Sequence, residues 1–300
     1  MGEPQRILVT GAAGFVGRRQ VAILADRGHC VVAMARATPV SAAPGVIIRQ
    51  GDVRDAASVL AAMEGCRAVI HLAAAKNDER FSRDVNVGGT ANVIAACRRT
   101  GARRLIYVST QADPRGTYGR TKYDGEALVR ESGLLWTITK PNLIYGDDTN
   151  GAFAKVARAV TRLPLVPITG PGRAKFWPIH VDDHGLATAR ILESDATIGR
   201  TYVLAGPDGA SLTDLVGMMA RRLGRRPRTL HLPLWFSLMA ARMCVRLRPD
   251  RPPISVSNVL GCNQEGVDHD ITAMRRDLGV EPRPLSQGLD EVLGALSQTP

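Results

Sequence analysis

A tyrosine and a lysine four residues apart, Tyr118 and Lys122, form the pair with the clearest catalytic potential in this sequence. Side chains four residues apart on a helix project from the same face. A lysine ammonium beside a phenol favours the phenolate and lowers the phenol pKa from about 10, so that the phenol can act as an acid or base near neutral pH. The pair therefore predicts proton transfer. The alternative is a surface tyrosine beside a solvated lysine.

Two hydroxyl side chains, Ser109 and Thr110, come shortly before this pair, at the end of the apolar segment 105–108. A hydroxyl at that position can bond a substrate carbonyl or alkoxide and hold it against the tyrosine. Lys122 can also bond a ribose hydroxyl and relay a proton. We find no His, Cys and carboxylate spacing that predicts a metal site.

Three glycines near the N-terminus, Gly11, Gly14 and Gly17, predict a dinucleotide site. They follow an apolar run, residues 7–9, and lead into a helix. The first allows a tight turn, the second lets a diphosphate approach the backbone, and the third lets the helix pack on the strand. The free N–H groups at the start of that helix then face the anion.

The end of the second predicted strand bears on which dinucleotide binds. An NAD site usually has an Asp or Glu there, which bonds the ribose 2′-hydroxyl. This strand ends in Met34-Ala35-Arg36, and an arginine can pair with a 2′-phosphate and stack on adenine. We therefore favour NADP(H), with NAD(H) as the alternative if Arg36 is only solvated.

The elements that must position these residues alternate between short apolar strands and amphipathic helices. Helical spacing covers residues 56–63, 85–99 and 118–131, between strands near 29–34, 46–48, 68–71, 105–108 and 136–139. This alternation predicts an α/β fold with a doubly wound parallel sheet of the Rossmann type. Ligands bind such sheets at the carboxyl ends of the strands, where the hydroxyls and the glycine turn fall.

The pattern changes after residue 145. We predict a dinucleotide-binding domain over residues 1–145, to which 179–205 return as a helix and a strand. Residues 146–178 and 206–300 are predicted to form a smaller, mostly helical substrate domain. Its helix 233–247 is rich in Leu, Met, Trp and Phe and predicts either a core or lid helix or one that lies on a membrane or partner. Pocket candidates there are Trp177, Trp235, Phe236 and Met239.

Composition limits the other classes of function. The chain has 300 residues, 45% of them hydrophobic, and a net charge of +11, but only 4% are aromatic. Arginine pairs without interleaved aromatics favour solvated helix faces over nucleic-acid binding. No run approaches the roughly 18 apolar residues of a membrane span, and no signal sequence precedes the first strand, so we expect a cytoplasmic protein. Five scattered cysteines predict no disulfide framework.

At these residues the sequence resembles the extended or atypical short-chain dehydrogenase/reductases of the NAD-dependent epimerase/dehydratase type. The resemblance covers nearly the whole chain. It rests on the glycine turn, Tyr118 and Lys122, and on these further motifs: Gly51-Asp52-Val53, His71-Leu72-Ala73-Ala74, Asn86-Val87-Gly88-Gly89-Thr90, Tyr107-Val108-Ser109-Thr110, Lys140-Pro141-Asn142-Leu143-Ile144-Tyr145-Gly146 and Ile179-His180-Val181-Asp182-Asp183.

The resemblance implies a role for each matching position. Tyr118 would be the general acid or base, with Lys122 as its partner. Thr110 aligns best with the catalytic hydroxyl, and Ser109 is the near alternative. Asn86 would line the active site. The full set of predicted cofactor-binding residues is Gly11, Ala13, Gly14, Phe15, Val16, Gly17, Arg36, Asp52, Val53, Leu72, Ala73, Ala74, Asn86, Tyr118, Lys122, Pro141, Asn142, Leu143 and Ile144.

Within this set, the resemblance places Asp52 and Val53 beside the adenine. Ala73 and Ala74 would pass their backbone by the ribose and diphosphate, and residues 141–144 would run past the nicotinamide. The same family often forms dimers through the helices predicted at 85–99 and 118–131, so a homodimer is possible.

Two departures from the family pattern bear on the reaction. Dehydratases follow the catalytic hydroxyl with an Asp-Glu pair, whereas here Gln111-Ala112 follow. Nucleotide-sugar enzymes tend to carry an arginine where this chain has Phe176. This departure puts a sugar-nucleotide substrate in doubt, and in this respect the chain resembles the atypical branch of the family. We therefore predict an oxidoreductase that transfers hydride between a nicotinamide and a small-molecule carbonyl or alcohol. A nucleotide-sugar epimerase and a non-catalytic NADP(H)-binding subunit or sensor remain the alternatives.

Overall fold

The computed structural model of the chain describes residues 4–36, 42–76, 80–148, 151–248, 252 and 254–297. Its strands are β1 (Arg6–Thr10), β2 (Cys30–Ala35), β3 (Val46–Gln50), β4 (Ala68–His71), β5 (Arg104–Val108), β6 (Leu135–Pro141), β7 (Ile144–Tyr145), β8 (Leu165–Thr169), β9 (Lys175–Phe176), β10 (Ile179–His180), β11 (Thr201–Leu204), β12 (Ala210–Ser211) and β13 (Arg228–Leu232).

The helices are α1 (Phe15–Asp26), α2 (Ala56–Met63), α3 (Gly89–Thr100), α4 (Thr117–Arg130), α5 (Ala152–Arg162), α6 (Val181–Leu192), α7 (Leu212–Arg222), α8 (Leu234–Leu247), α9 (Val256–Gly261), α10 (Thr272–Leu278) and α11 (Leu285–Ser297). A π-helical turn, Asp84–Gly88, precedes α3, and a 3-10 turn, Asp195–Thr197, follows α6.

Seven parallel strands form the main sheet in the order β11-β6-β5-β4-β1-β2-β3. Helices α1, α6 and α10 pack on one face, and α2, α3 and α4 pack on the other. The central strands are buried on both sides, which is why they read as continuous apolar runs rather than as alternating patterns. The chain order reverses between β1 and β4, so that the loops after these strands diverge and open a crevice. The predicted doubly wound sheet is confirmed.

A second core lies beyond this sheet. It joins α5, α7 and α11 around Phe153, Leu215, Met219 and Leu289. Three two-stranded sheets lie outside the main sheet and are formed by the pairs β7–β10, β9–β12 and β8–β13. Helix α8 packs mainly against α9, and α9 in turn contacts α4. The predicted division of the chain at residue 145 stays a prediction.

The single helix predicted for residues 85–99 is wrong at its start. A π-helical turn precedes α3 there, and it contains the fully buried Asn86. The Asn86 side chain donates to the Thr121 hydroxyl at 2.9 Å and accepts from the Ala75 backbone N–H at 2.9 Å. A π turn holds one extra residue, and such turns often serve a functional site. Apolar periodicity does not report this insertion.

Candidate active site

The glycine turn connects β1 to α1, and Gly14 is the residue that caps the helix. Gly11 has a φ of +69°, and a Cβ there would lie 2.8 Å from the backbone nitrogen of Ala73. A Cβ at Gly17 would overlap the Gly11 carbonyl oxygen. The turn therefore needs glycine at both positions, and it brings the predicted Ala73 backbone against the start of α1.

A buried histidine links the strand that precedes this turn to its neighbours. His71 ends β4 and lies between two threonines, with Nδ1 2.7 Å from the Thr10 hydroxyl and Nε2 3.1 Å from the Thr90 hydroxyl. Burial lowers the pKa of His71 to about 3, helped by the nearby Lys122 charge. The ring is therefore neutral at physiological pH and ties β1 and β4 to α3, rather than acting in proton transfer.

Thr110 and Tyr118 meet at the carboxyl end of β5. The hydroxyl of Thr110 interacts with the Tyr118 phenol, and it also accepts a hydrogen bond from the Ala112 N–H at 3.1 Å. Burial raises the pKa of Tyr118 to about 12, while the Thr110 contact works in the opposite direction. The expectation that Lys122 lowers this pKa is wrong for this structure, because desolvation of the phenolate outweighs the other effects.

Lys122 lies one helical turn beyond Tyr118 and is only 1% exposed. Its ammonium nitrogen is 4.1 Å from the centroid of the Tyr107 ring, which is a cation–π contact. Burial lowers the pKa of Lys122 to about 7, although the Glu126 carboxylate partly offsets this. Lys122 is therefore a buried lysine with a lowered pKa, and a merely solvated lysine is excluded.

Ser109, the alternative catalytic hydroxyl, is already engaged. It is buried and donates to Glu126 Oε2 at 2.9 Å. Glu126 also pairs with Lys140 and Arg130, at 3.2 and 2.7 Å, and these partners hold the pKa of its carboxyl below its usual value despite burial. The sequence analysis missed Glu126, although its position four residues after Lys122 predicts the same helix face. These contacts favour Thr110 as the hydroxyl that faces substrate.

Residues 141–144 leave β6 beside the same edge of the sheet. The Asn142 Oδ1 atom accepts from the backbone N–H groups of Leu143 and Trp177, at 2.9 and 3.1 Å. The ring of Trp177 stacks on His269 with 3.8 Å between centroids. Asn142 thus joins the predicted nicotinamide segment to Trp177, which packs against the core of the main sheet.

Arg36 and Asp52 lie at the other end of the cofactor path, after β2 and β3. Arg36 is exposed, whereas Asp52 is held by the Arg54 guanidinium at 2.7 Å. That guanidinium, and more weakly Arg36, keep the pKa of the Asp52 carboxyl below its usual value. The Val53 side chain is buried against Gly89, so only its backbone is left to face a ligand.

The structure therefore gathers Thr110, Tyr118 and Lys122 at one end of the crevice and places Arg36 at the other. Among the described residues, no group of three or more His, Cys, Asp or Glu side chains is arranged to hold a metal ion. None of the described helices is both long enough and apolar enough to cross a membrane.

These features define an extended short-chain dehydrogenase/reductase fold, in which a Rossmann-type sheet is joined to a smaller second core. Residues 7–205 match the model of the NAD dependent epimerase/dehydratase family, and the chain belongs to that family. The predicted family membership is confirmed.

Three curated relatives show the range of reactions in this family. The chain is 28% identical to a 3 beta-hydroxysteroid dehydrogenase/Delta 5→4-isomerase of Mycobacterium tuberculosis, over 92% of this chain and 86% of the relative. It is 29% identical to a 2-alkyl-3-oxoalkanoate reductase of Stenotrophomonas maltophilia, over 73% and 76%. It is 23% identical to a UDP-glucose 4-epimerase of Vibrio cholerae, over 77% and 80%. The relatives are therefore dehydrogenases, reductases and epimerases.

Solved structures share the fold. MoeE5 in complex with UDP-glucose and NAD superposes with a TM-score of 0.79 at 22% identity, covering 98% of this chain and 99% of that one. The UDP-glucose 4-epimerase of Thermus thermophilus in complex with NAD has a TM-score of 0.77 at 20% identity, covering 98% and 100%. At this identity the likeness establishes architecture alone.

Proposed function

We propose that the protein is an oxidoreductase that transfers hydride between a nicotinamide dinucleotide and a substrate carbonyl or alcohol, with Thr110, Tyr118 and Lys122 as its catalytic residues. The observation that carries this proposal is the contact between the Thr110 hydroxyl and the Tyr118 phenol, with buried Lys122 one turn further along α4. A surface tyrosine beside a solvated lysine would have none of these features.

The residues present fit such a cofactor. Gly11 and Gly17 leave no room for a Cβ, so the turn keeps its backbone bare at the start of α1. Helix N-termini with bare backbone favour phosphate, because their N–H groups have no intrahelical partner. The family is also described as NAD dependent. A bound nicotinamide dinucleotide supplies or accepts the hydride.

The chain's own groups then hold the substrate and move the proton. Thr110 donates a hydrogen bond to the substrate oxygen and holds it beside the Tyr118 phenol. Because the pKa of Tyr118 is raised to about 12, the phenol stays protonated at neutral pH and is ready to donate to a developing alkoxide. Lys122 holds a ribose hydroxyl and returns the proton.

The substrate is proposed to be apolar. Phe176 stands where a diphosphate-clamping arginine would be expected, and its side chain and that of its neighbour Trp177 are partly buried against apolar clusters. Lys175, beside them, is exposed. The names of the mycobacterial and Stenotrophomonas relatives, which denote a steroid enzyme and an alkyl-ketone reductase, support the same class.

The experiment is a deuterium-transfer screen. The protein is incubated with NADPH or NADH carrying deuterium on the nicotinamide, together with alkyl ketones, steroid ketones or a 4-keto sugar nucleotide. We expect oxidation of the cofactor and a deuterated alcohol from an apolar ketone, detected by mass spectrometry. Cofactor that binds without transferring label to any ketone would contradict the proposal and favour a binding subunit.

Epimerase activity is the second candidate, since the family and the UDP-glucose 4-epimerase relative support it. An epimerase uses the same residues but keeps its cofactor bound. It would convert UDP-glucose to its 4-epimer with no net loss of reduced cofactor. That result, without labelled alcohol, would replace the reductase proposal.

Arg36 leads us to propose a preference for NADP(H). It is exposed directly after β2, and the nearby Asp52 carboxylate is occupied by Arg54. We expect Arg36→Ala to weaken NADPH binding about tenfold or more, as loss of a charge-assisted contact does, and to leave NADH binding unchanged. Fluorescence titration of both reduced cofactors measures this. Arg49→Ala, on the adjoining strand, is the control. Tighter binding of NADH that is indifferent to Arg36→Ala would contradict the preference.

A further inference from the structure

Helix α8 exposes large apolar side chains that an ordinary surface helix would bury. The two buried residues of α8, Ser237 and Ala241, are small, and Leu238, Cys244 and Val245 beside them are half-buried. The residues that face outward are large and apolar, and their exposed fractions are 67% for Trp235, 51% for Met239 and 55% for Met243. A soluble surface helix normally has the opposite arrangement.

The exposed residues lie on one side of the helix. At 100° per residue, Trp235, Met239 and Met243 share one face, and Phe236 extends it to one side. Both Arg242 and Arg246 are exposed; Arg242 borders the opposite margin, whereas Arg246 lies within the same face as Trp235 and Met239, at the C-terminal end of the helix. We name this set the α8 surface: Trp235, Phe236, Met239, Arg242, Met243 and Arg246.

The structure exposes Trp235, Phe236 and Met239, and their assignment to a substrate pocket stays a prediction. The preceding strand continues the exposed apolar character, since Leu230 of β13 is 44% exposed and Pro233 leads directly into α8. Single exposed apolar residues are ordinary, but a contiguous group of this kind marks a binding surface.

The chain segment that carries this surface is basic. Residues 221–248 contain eight arginines, and no aspartate or glutamate occurs between Asp214 and Asp250. One of these arginines, Arg222, is paired with Asp290. Exposed arginines beyond the two on the α8 surface and the paired Arg222 are Arg221, Arg225, Arg226, Arg228 and Arg248. Apolar side chains bordered by arginines are complementary to a layer of anionic headgroups over hydrocarbon.

We propose that the α8 surface docks the protein onto an anionic lipid membrane as a peripheral contact. Trp235, Met239 and Met243 enter the boundary between headgroups and acyl chains, and Arg242 and Arg246 bond the lipid phosphates. Nucleic acid would leave the apolar face exposed, and an apolar protein partner would leave the arginines without counter-charges.

The contact lies on the active-site side of the molecule. Helix α8 packs on α9, whose Ser257 touches Gly116 just before α4, the helix that carries Tyr118. A membrane-bound molecule would therefore hold its crevice close to the lipid. The docking itself is independent of the proposed reaction and is tested without substrate.

The test is co-sedimentation with vesicles of phosphatidylcholine alone or mixed with phosphatidylglycerol. We expect the protein to bind the anionic vesicles and to dissociate as the salt concentration rises from roughly 0.1 to 0.5 M. The triple variant Trp235→Ser, Met239→Ser, Met243→Ser should bind about a hundredfold or more weakly, since it loses most of the inserted apolar area. Ile48→Ser, at an exposed apolar position on β3, is the matched control and should bind as wild type.

A second variant tests the charges. Arg242→Gln with Arg246→Gln should weaken binding to anionic vesicles about tenfold or more, whereas Arg99→Gln with Arg103→Gln, two exposed arginines elsewhere, should not. Circular dichroism confirms that each variant is folded.

Three results would overturn the proposal. The first is absence of binding to anionic vesicles, or equal binding by the triple variant. The second is a wild-type dimer that the triple variant converts to monomer without vesicle binding, which assigns the surface to a second copy. The third is protection of Trp235 from acrylamide quenching by cofactor alone, measured against Trp235→Phe, which assigns α8 to a lid.

Discussion

Tyr118→Phe should reduce kcat about 10²- to 10⁴-fold while the protein still folds and binds its cofactor. The substitution removes only the phenolic oxygen, which in the proposed reaction donates the proton to the substrate. The Thr110 hydroxyl and buried Lys122 stay in place. The loss should therefore appear in kcat, measured as deuterium transfer per unit time, and not in the cofactor Kd.

Tyr123→Phe is the matched control, because Tyr123 lies five residues further along α4 and is also partly buried. It packs near Lys140, with 5.2 Å between the lysine nitrogen and the ring centroid. We expect its activity to equal that of wild type. A Tyr118→Phe protein that transfers label as fast as wild type would overturn the assignment of the proton donor.

Lys122→Met should make the protein more stable at pH 7 and inactive. Burial lowers the pKa of Lys122 to about 7 from the usual 10.5, so the folded state holds this proton more weakly than the unfolded state. Between these two values the unfolded chain binds more protons, so the free energy of unfolding contributed by Lys122 rises with pH through this window. Below about pH 7 the full penalty is present.

The size of this penalty follows from about 1.4 kcal/mol per pKa unit, and it is on the order of 4 kcal/mol at pH 7. Methionine fills a similar volume without a charge to desolvate. Urea unfolding of wild type and Lys122→Met from pH 6 to 9.5 measures the difference, which should shrink as pH rises. Lys155→Met, at an exposed lysine, should show no such trend.

If the difference in free energy of unfolding between wild type and Lys122→Met stays constant with pH, this result would contradict the lowered pKa of Lys122. A Lys122→Met protein that keeps full activity would show that the buried ammonium serves packing rather than proton transfer. The expected pairing of gained stability with lost activity is typical of a charged group retained at an active site.

Local chemistry predicted much of this molecule directly. Helix α2 spans residues 56–63, as the apolar spacing predicts, and the Asp55 side chain caps its first turn. The alternation of strands and helices predicted the parallel sheet, since βαβ crossovers leave few other arrangements. The glycine turn and the Tyr118–Lys122 spacing likewise depend only on neighbours in sequence.

Contacts between distant segments decided the rest. The raised pKa of Tyr118 and the lowered pKa of Lys122 come from protein packed around them, and desolvation cannot be read from a four-residue spacing. The choice of Thr110 over Ser109 depends on Glu126, seventeen residues away from Ser109, which binds that hydroxyl.

The sequence by itself determined the fold class, the dinucleotide turn and the residues able to move a proton, because each follows from local backbone geometry and residue type. Only the tertiary structure decided which hydroxyl meets the phenol, which polar side chains are removed from water, and that the apolar face of α8 points outward. Those properties depend on which surfaces are removed from water when remote segments pack. The spacing of apolar residues shows that a helix has an apolar face, but not whether that face points into the protein or into solvent.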